Sequence, residues 1–371
     1  MRIPSPRPLT VFALAAVLAV GACTDTTGTD DGGATPSPRQ TSTGDAAGSG
    51  GEAGSQGPSF AEIPAIVADV QPSIVSINVI VERNGETGLG SGSGVIWSAD
   101  GIVVTNAHVV AEAEEIEVVL ANGDRFEGEM IAADARTDLA AVRIDASGLP
   151  AADFAERLPV VGELAVALGN PLGFQNSATA GIVSGLDRSV PGGGGGVSLV
   201  GLIQTDAPIS SGNSGGALVG ADRQVLGINV AALGSAGAQS QGRITAENVG
   251  FAIPSTTVIS VIEQLLEDGE VSHPYLGIRG ATLTPQIADR FGLDRDAGVV
   301  VVEVVPDGPA EEAGIARGDV IVGLGDEEVR NFGDLAGILR DHDAGDTLAV
   351  TVVAEGEERT IEVTLAELPD R

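Results

Sequence analysis

The apolar residues between positions 74 and 253 come in runs of three to eight, rich in Val and Ile, separated by glycines and turn pairs. Core helices usually extend over about 11 residues, so these runs suit short strands, which β-branched side chains favour. Ile74 to Val81 is the longest of them. Val95–Trp97 and Ile102–Val104 flank Asp100-Gly101, and Ile116–Leu120 leads to Asn122-Gly123. In both pairs the glycine supplies the positive φ of a tight hairpin. Further strands are expected at Leu139–Ile144, Leu164–Leu168, Gly181–Ser184, Gly201–Thr205, Gln224–Val230 and Val249–Ile253. Only 3% of residues are aromatic, so the cores must rest on Val, Ile, Leu and Ala, while 53 Gly and 19 Pro supply turns. The pattern predicts a mainly β chain containing a β-barrel domain.

Ser255–Glu267 is the clearest helix, read as starting at a Ser cap, with Val258, Val261, Ile262, Leu265 and Leu266 on one face. It closes a first domain over residues 60–269. A smaller α/β domain over residues 273–366 follows, with strands at Val299–Val305, Val320–Leu324, Thr347–Ala354 and Thr360–Leu365. Its helices are expected near Ala310–Ala313 and at Phe332–Arg340. A chain of 371 residues can give each domain its own core.

Residues 1–22 read as a signal peptide: Arg2 and Arg7 precede an apolar stretch, Leu9–Val20, that is too short to span a bilayer comfortably. Val20-Gly21-Ala22-Cys23 resembles the lipobox of bacterial lipoproteins, which implies cleavage before Cys23 and its lipidation. Residues 23–59 would then be a lipidated cysteine and a disordered Thr/Gly/Ser/Asp/Pro tether, too poor in large apolar side chains to offset ordering entropy. The expected location is extracytoplasmic, anchored to the outer face of the cell membrane. Cys23 is the only cysteine, which rules out an intramolecular disulfide. The net charge of −33 excludes nucleic acid as a partner, because binding it needs Lys/Arg neutralisation of phosphate.

Three strings carry chemistry. Thr105-Asn106-Ala107-His108-Val109-Val110 follows a strand and offers one of three histidines, the side chain suited to taking and returning a proton near neutrality. Arg136-Thr137-Asp138-Leu139-Ala140 places a carboxylate at the head of an apolar strand, where it must find a donor. Gly212-Asn213-Ser214-Gly215-Gly216 sets a serine between glycines that allow close backbone approach and inward-turned N–H groups. No His/Cys/carboxylate cluster has metal-ligand spacing, so no metal or cofactor is implied.

The order His, Asp, Ser, spaced by 30 and 76 residues, is that of chymotrypsin-like enzymes. With Ser91-Gly92-Ser93-Gly94-Val95-Ile96, Leu168-Gly169-Asn170-Pro171-Leu172-Gly173 and Val249-Gly250-Phe251-Ala252-Ile253-Pro254, the chain resembles the HtrA/Deg serine proteases from about Ser73 to Leu365. The resemblance implies a chymotrypsin-like double β-barrel followed by a small α/β PDZ domain. It implies His108, Asp138 and Ser214 as catalytic triad, and the N–H groups of Gly212 and Ser214 as oxyanion hole. It places Ile209, Val230 and Ala232 around an apolar specificity pocket, and Arg188 at a position that relays activation. A departure from the family is the glycine run Gly192–Gly196, where a regulatory loop would be costly to order.

His273-Pro274-Tyr275-Leu276-Gly277-Ile278, Gly308-Pro309-Ala310 and Gly318-Asp319-Val320-Ile321 resemble a bacterial PDZ domain. By that resemblance Tyr275, Leu276, Gly277 and Ile278 receive a peptide's C-terminal carboxylate, with Leu335 and Leu339 lining the groove. The implied activity is an endopeptidase that degrades misfolded or unfolded proteins and is gated by C-terminal peptides at the PDZ groove. A homotrimer is implied as well, with Phe60, Ile63 and Ile66 apolar enough to serve its interface. Two other readings are a client-holding chaperone or scaffold, which an intact triad weighs against, and a ligand-binding lipoprotein, which leaves the three ordered strings unexplained. Neither the natural substrates nor the activating peptide can be read from the sequence.

Overall fold

A computed structural model describes residues 60–83, 86–170, 177–190, 199–230, 249–291, 295, 297–354 and 356–369. After helix α1 (Ile63–Val70), strands β1 (Ile74–Arg83), β2 (Glu86–Ile96) and β3 (Ile102–Thr105) run to a short helix α2 (Ala107–Val110). Strands β4 (Glu115–Val119), β5 (Arg125–Asp134) and β6 (Leu139–Ile144) then complete a closed antiparallel barrel in the order β1-β2-β3-β6-β5-β4. A second closed barrel is built from β7 (Leu164–Gly169), β8 (Ser177–Val190), β9 (Leu199–Thr205), β10 (Ala217–Val219), β11 (Val225–Val230) and β12 (Gly250–Pro254). Two six-stranded barrels are the architecture that the motif set implied.

Strands read as unbroken apolar runs because both their faces are buried. In β6, Ala140, Val142 and Ile144 fill the first barrel. Leu139 and Ala141, on the other face, join a second core shared with Val166, Leu168, Val225 and Ile228 of the second barrel. Helix α3 (Ser255–Glu267) covers that shared core with Val258, Val261, Ile262 and Leu265, each contributing roughly 1.5–3 kcal/mol by leaving water. Its first residue is not a cap. Ser255 is already helical and fully buried, and its hydroxyl donates to the Ala155 carbonyl at 2.5 Å, with Pro254 in the capping position. Ile66 is likewise fully buried in the shared core, so it is spent within its own chain and leaves the expected trimer surface.

The smaller domain contains β13 (Pro274–Tyr275), β14 (Ile278–Thr282), α4 (Pro285–Phe291), β15 (Val299–Val304), α5 (Pro309–Glu312), β16 (Val320–Leu324) and β17 (Glu327–Glu328). It continues with α6 (Phe332–Arg340), β18 (Thr347–Ala354), β19 (Glu357–Thr364) and β20 (Ala366–Glu367). Its main sheet runs β14-β15-β16-β18-β19, which leaves β14 at an edge, while β13 pairs with β20. Asn331 caps α6 by accepting the Asp334 N–H at 2.8 Å.

Both ends of this domain are tied to the first barrel. The Arg136 guanidinium donates to the carbonyls of Leu368 and Pro369 at 3.2 and 3.0 Å, and His273 Nε2 lies 3.0 Å from Asp134 Oδ1. Burial opposes the ionised form of Asp134, but hydrogen bonds from His273 and Thr137 prevail and hold its carboxyl below the usual range. Among the described residues no helix is long and apolar enough to cross a membrane. Cys23 and the expected signal peptide and tether lie outside the described residues, as does the Gly192–Gly196 run.

Candidate active site

Thr105 pairs with Ala140 across β3 and β6, so the residues just after β3 and just before β6 meet at one end of the first barrel. That register brings His108 and Asp138 together. His108 Nδ1 lies 2.8 Å from Asp138 Oδ2 and 3.0 Å from Oδ1, and the His108 backbone N–H donates to Oδ1 at 2.9 Å. A carboxylate only accepts, so Nδ1 carries the ring proton and Nε2 is left with a lone pair. The Asp138 side chain is 11% exposed and that of His108 is 48% exposed, so the pair is covered at the acid and open at the base.

Asp138 adopts φ +60°, a conformation rare outside glycine but tolerated by Asp. Its carbonyl accepts the Ala107 N–H and the Asn106 side-chain amide, both at 3.1 Å. Together with the His108 bonds these offset a backbone strain of roughly 1–3 kcal/mol.

Ser214 belongs to the second barrel and follows a single 3₁₀ turn, Ser211–Asn213, closed by the Asn213 N–H on the Ser210 carbonyl at 2.8 Å. Gly212 therefore lies within a wound segment. The next residue, Gly215, has φ +81°, and a Cβ there would lie 2.2 Å from the Ser93 carbonyl oxygen, so only glycine fits. Asn229, wholly buried in β11, locks the loop from behind. Its carbonyl accepts the Gly215 N–H at 2.9 Å, its N–H donates to Gly216 at 2.8 Å, and its side chain donates to Leu168 and Ala217 carbonyls. Sequence reasoning passed over Asn229; the available signal was an amide inside an apolar strand, which must be paired.

Of the two described pocket candidates, half-buried Ile209 packs beside the second-barrel core and Val230 is buried in the core shared by the barrels. Ala232 lies outside the described residues. Arg188, exposed on β8, donates from Nε to Gln204 Oε1 at 2.8 Å. Its neighbour Asp187, at φ +54°, accepts from the Gly333 N–H at the start of α6 and from Thr282 Oγ1 at the end of β14, the latter at 3.3 Å. Burial pushes the Asp187 carboxyl up.

In the smaller domain, the Gly277 carbonyl accepts the Val305 N–H and the Leu276 carbonyl the Ala310 N–H, each at 2.8 Å, which shapes the turn Tyr275–Ile278. Gly277 has φ +77°. Leu276 is buried in the domain core, Tyr275 is half-buried, and Ile278 opens the edge strand β14. Leu335 is only 2% exposed, so it belongs to the core rather than to a groove wall, while Leu339 is half-buried against that core. Among the described residues no three His, Cys, Asp or Glu side chains are placed to hold a metal ion.

The trypsin-like peptidase domain family matches residues 92–228 and the PDZ domain family residues 274–365. The putative serine protease HhoB of Synechocystis is 40% identical over 273 residues, covering 71% of this chain and 63% of that one. A probable periplasmic serine endoprotease DegP-like of Ectopseudomonas mendocina is 39% identical over 280 residues, covering 75% of this chain and 57% of that one. The chain thus spans about three fifths of these curated relatives. Among solved structures, the HtrA-type protease AlgW with tripeptide aligns at a TM-score of 0.66 and 32% identity, covering 85% of this chain and 99% of that one. Barrel pair, PDZ domain and this extent of likeness agree: the chain belongs to the HtrA-type serine proteases.

Proposed function

We propose that the protein is an extracytoplasmic endopeptidase that degrades misfolded or unfolded proteins through an acyl-enzyme. The observation that carries this is the His108–Asp138 pair, ordered by three contacts under 3.1 Å, at the junction with the Gly-flanked Ser214. Ser214 Oγ attacks the scissile carbonyl while His108 Nε2 takes its proton. His108 then returns the proton to the leaving amine, and a water repeats the sequence to release the acyl group. Asp138 holds the ring in the productive tautomer. The N–H groups of Gly212 and Ser214 receive the oxyanion, and losing such a donor commonly costs ~3 kcal/mol of barrier. The names of the periplasmic relatives and the sequence around Cys23 support an extracytoplasmic, lipid-anchored site.

In this reading the PDZ domain gates the enzyme. A peptide adds along the free edge of β14, its carboxylate at Tyr275–Ile278 and Leu339 beside it. Helix α6, the opposite groove wall, packs against β8 and β9, the strand pair that carries Arg188. Peptide binding at α6 would therefore act on the strand pair that carries Arg188, the residue the family resemblance assigns to relaying activation. AlgW has been solved with bound peptides, which supports this role for the groove. A trimer follows from the family resemblance alone.

Cleavage of unfolded casein should rise about 5- to 150-fold on adding a peptide with a hydrophobic C-terminus. Unchanged rates with a peptide shown to bind would overturn the gating. The family resemblance puts apolar residues, Ile209 among them, at the specificity pocket, so a chromogenic panel should show cleavage after small aliphatic residues such as Val or Ala; a clear preference for Arg would refute that assignment.

A further inference from the structure

Ser93 sits in β2 of the first barrel, yet three of its four hydrogen bonds reach the second. Its N–H donates to the Ser214 carbonyl at 2.8 Å. Its hydroxyl donates to the Gly212 carbonyl and accepts the Asn170 N–H, both at 2.8 Å. The fourth bond, from Thr105 Oγ1 to the Ser93 carbonyl at 2.8 Å, leads back to β3, the strand that precedes His108. The side chain is wholly buried, and so are Thr105 and Asn170.

We propose that Ser93 is a positioning residue for the nucleophile loop. This role rests on Ser214 being the nucleophile. The Ser93 hydroxyl fixes the peptide after Gly212, and the Ser93 N–H fixes the peptide after Ser214, so the nucleophile is bracketed by the barrel that supplies the histidine. Asn229 restrains the same loop from Gly215 onward. Ser93 joins the two barrels at this point by a side chain that both donates and accepts. Its place in β2 explains the glycines beside it: a Cβ at Gly92 would lie 2.8 Å from Val109 and 3.4 Å from the Ser214 carbonyl.

Removing the hydroxyl leaves the Gly212 carbonyl and the buried Asn170 N–H without this partner, frees the peptide after Gly212 to turn, and so loosens Gly212 itself, whose N–H is the oxyanion donor. An oxyanion donor that wanders weakens transition-state binding more than substrate binding. The loss therefore falls on kcat.

The test uses the full chain with Ser93→Ala, Ser93→Cys and, as a control, Ser255→Ala, which also deletes a buried hydroxyl bonded to a carbonyl. A peptide substrate and a peptide boronate that forms a tetrahedral adduct on Ser214 are the probes. Ser93→Ala should lower kcat about tenfold or more and weaken boronate binding by the same factor. Its KM should stay within about threefold. Ser93→Cys, of similar size with a weak donor, should fall between. Ser255→Ala should lower the melting temperature with kcat unchanged. A folded Ser93→Ala or Ser93→Cys with kcat and boronate affinity at the parent level would overturn the proposal. So would a loss that merely tracks the unfolded fraction. Cleavage that survives Ser214→Ala would instead overturn the nucleophile assignment, and this role with it.

Discussion

Asp138→Asn should lower kcat about 10⁴-fold while the protein stays folded. Asn accepts the left-handed backbone conformation that Asp138 holds at φ +60°, so the turn survives. The backbone N–H of His108 can only donate, and it points at Oδ1 from 2.9 Å, so the amide oxygen of Asn must take that place. The amide NH₂ then occupies the position of Oδ2, 2.8 Å from Nδ1. Two donors cannot face each other, so the ring turns its lone pair to Nδ1 and its proton to Nε2. A histidine protonated at Nε2 cannot take the Ser214 proton. Peptide turnover and thermal melting, measured on the same sample, check this. An unchanged melt with less than about a tenfold loss would remove Asp138 from the assigned role.

Ser214→Ala should cost more, about 10⁶-fold in kcat, because no acyl-enzyme can form. Combining it with Asp138→Asn should add nothing, since the three side chains act on one step and their losses do not sum. A fluorogenic peptide followed for hours provides the needed range. Retention of more than about 1% of parent activity in Ser214→Ala would assign the nucleophile elsewhere.

The candidate site was legible because each of its three strings is local. A histidine after a strand, a carboxylate heading an apolar run and a serine among glycines each announce themselves within five residues. What was not legible depends on distance. Asn229 and Ser93 gain their meaning from partners that the chain brings close only on folding, such as Leu168 and Gly212. Strand β5 was missed because charged residues interrupt it, so its sequence shows no clean alternation. The start of β2 was missed because glycine disfavours strands in general. Here that glycine makes room: a Cβ at Gly94 would lie 2.7–3.0 Å from Val103, Ile77 and Val75. Leu335 was placed on a groove because it lies on α6, but helix position alone does not say which neighbour a face meets.

The joint between the two halves of the molecule has a mechanical consequence. A single connecting strand is a swivel, free to bend and to twist. Here a second segment lies beside the crossing at His273: Leu368, whose carbonyl Arg136 of the first barrel holds at 3.2 Å, donates its N–H to the His273 carbonyl at 2.9 Å. Glu367 adds bonds to the His273 N–H at 2.9 Å and the Ser272 hydroxyl at 3.1 Å. Two strands riveted side by side form a ribbon, and a ribbon flexes across its width far more readily than it turns about its length. The PDZ half is thereby tethered by a joint stiffer in twist than in bending, so bending is the movement that would part α6 from β8 and β9.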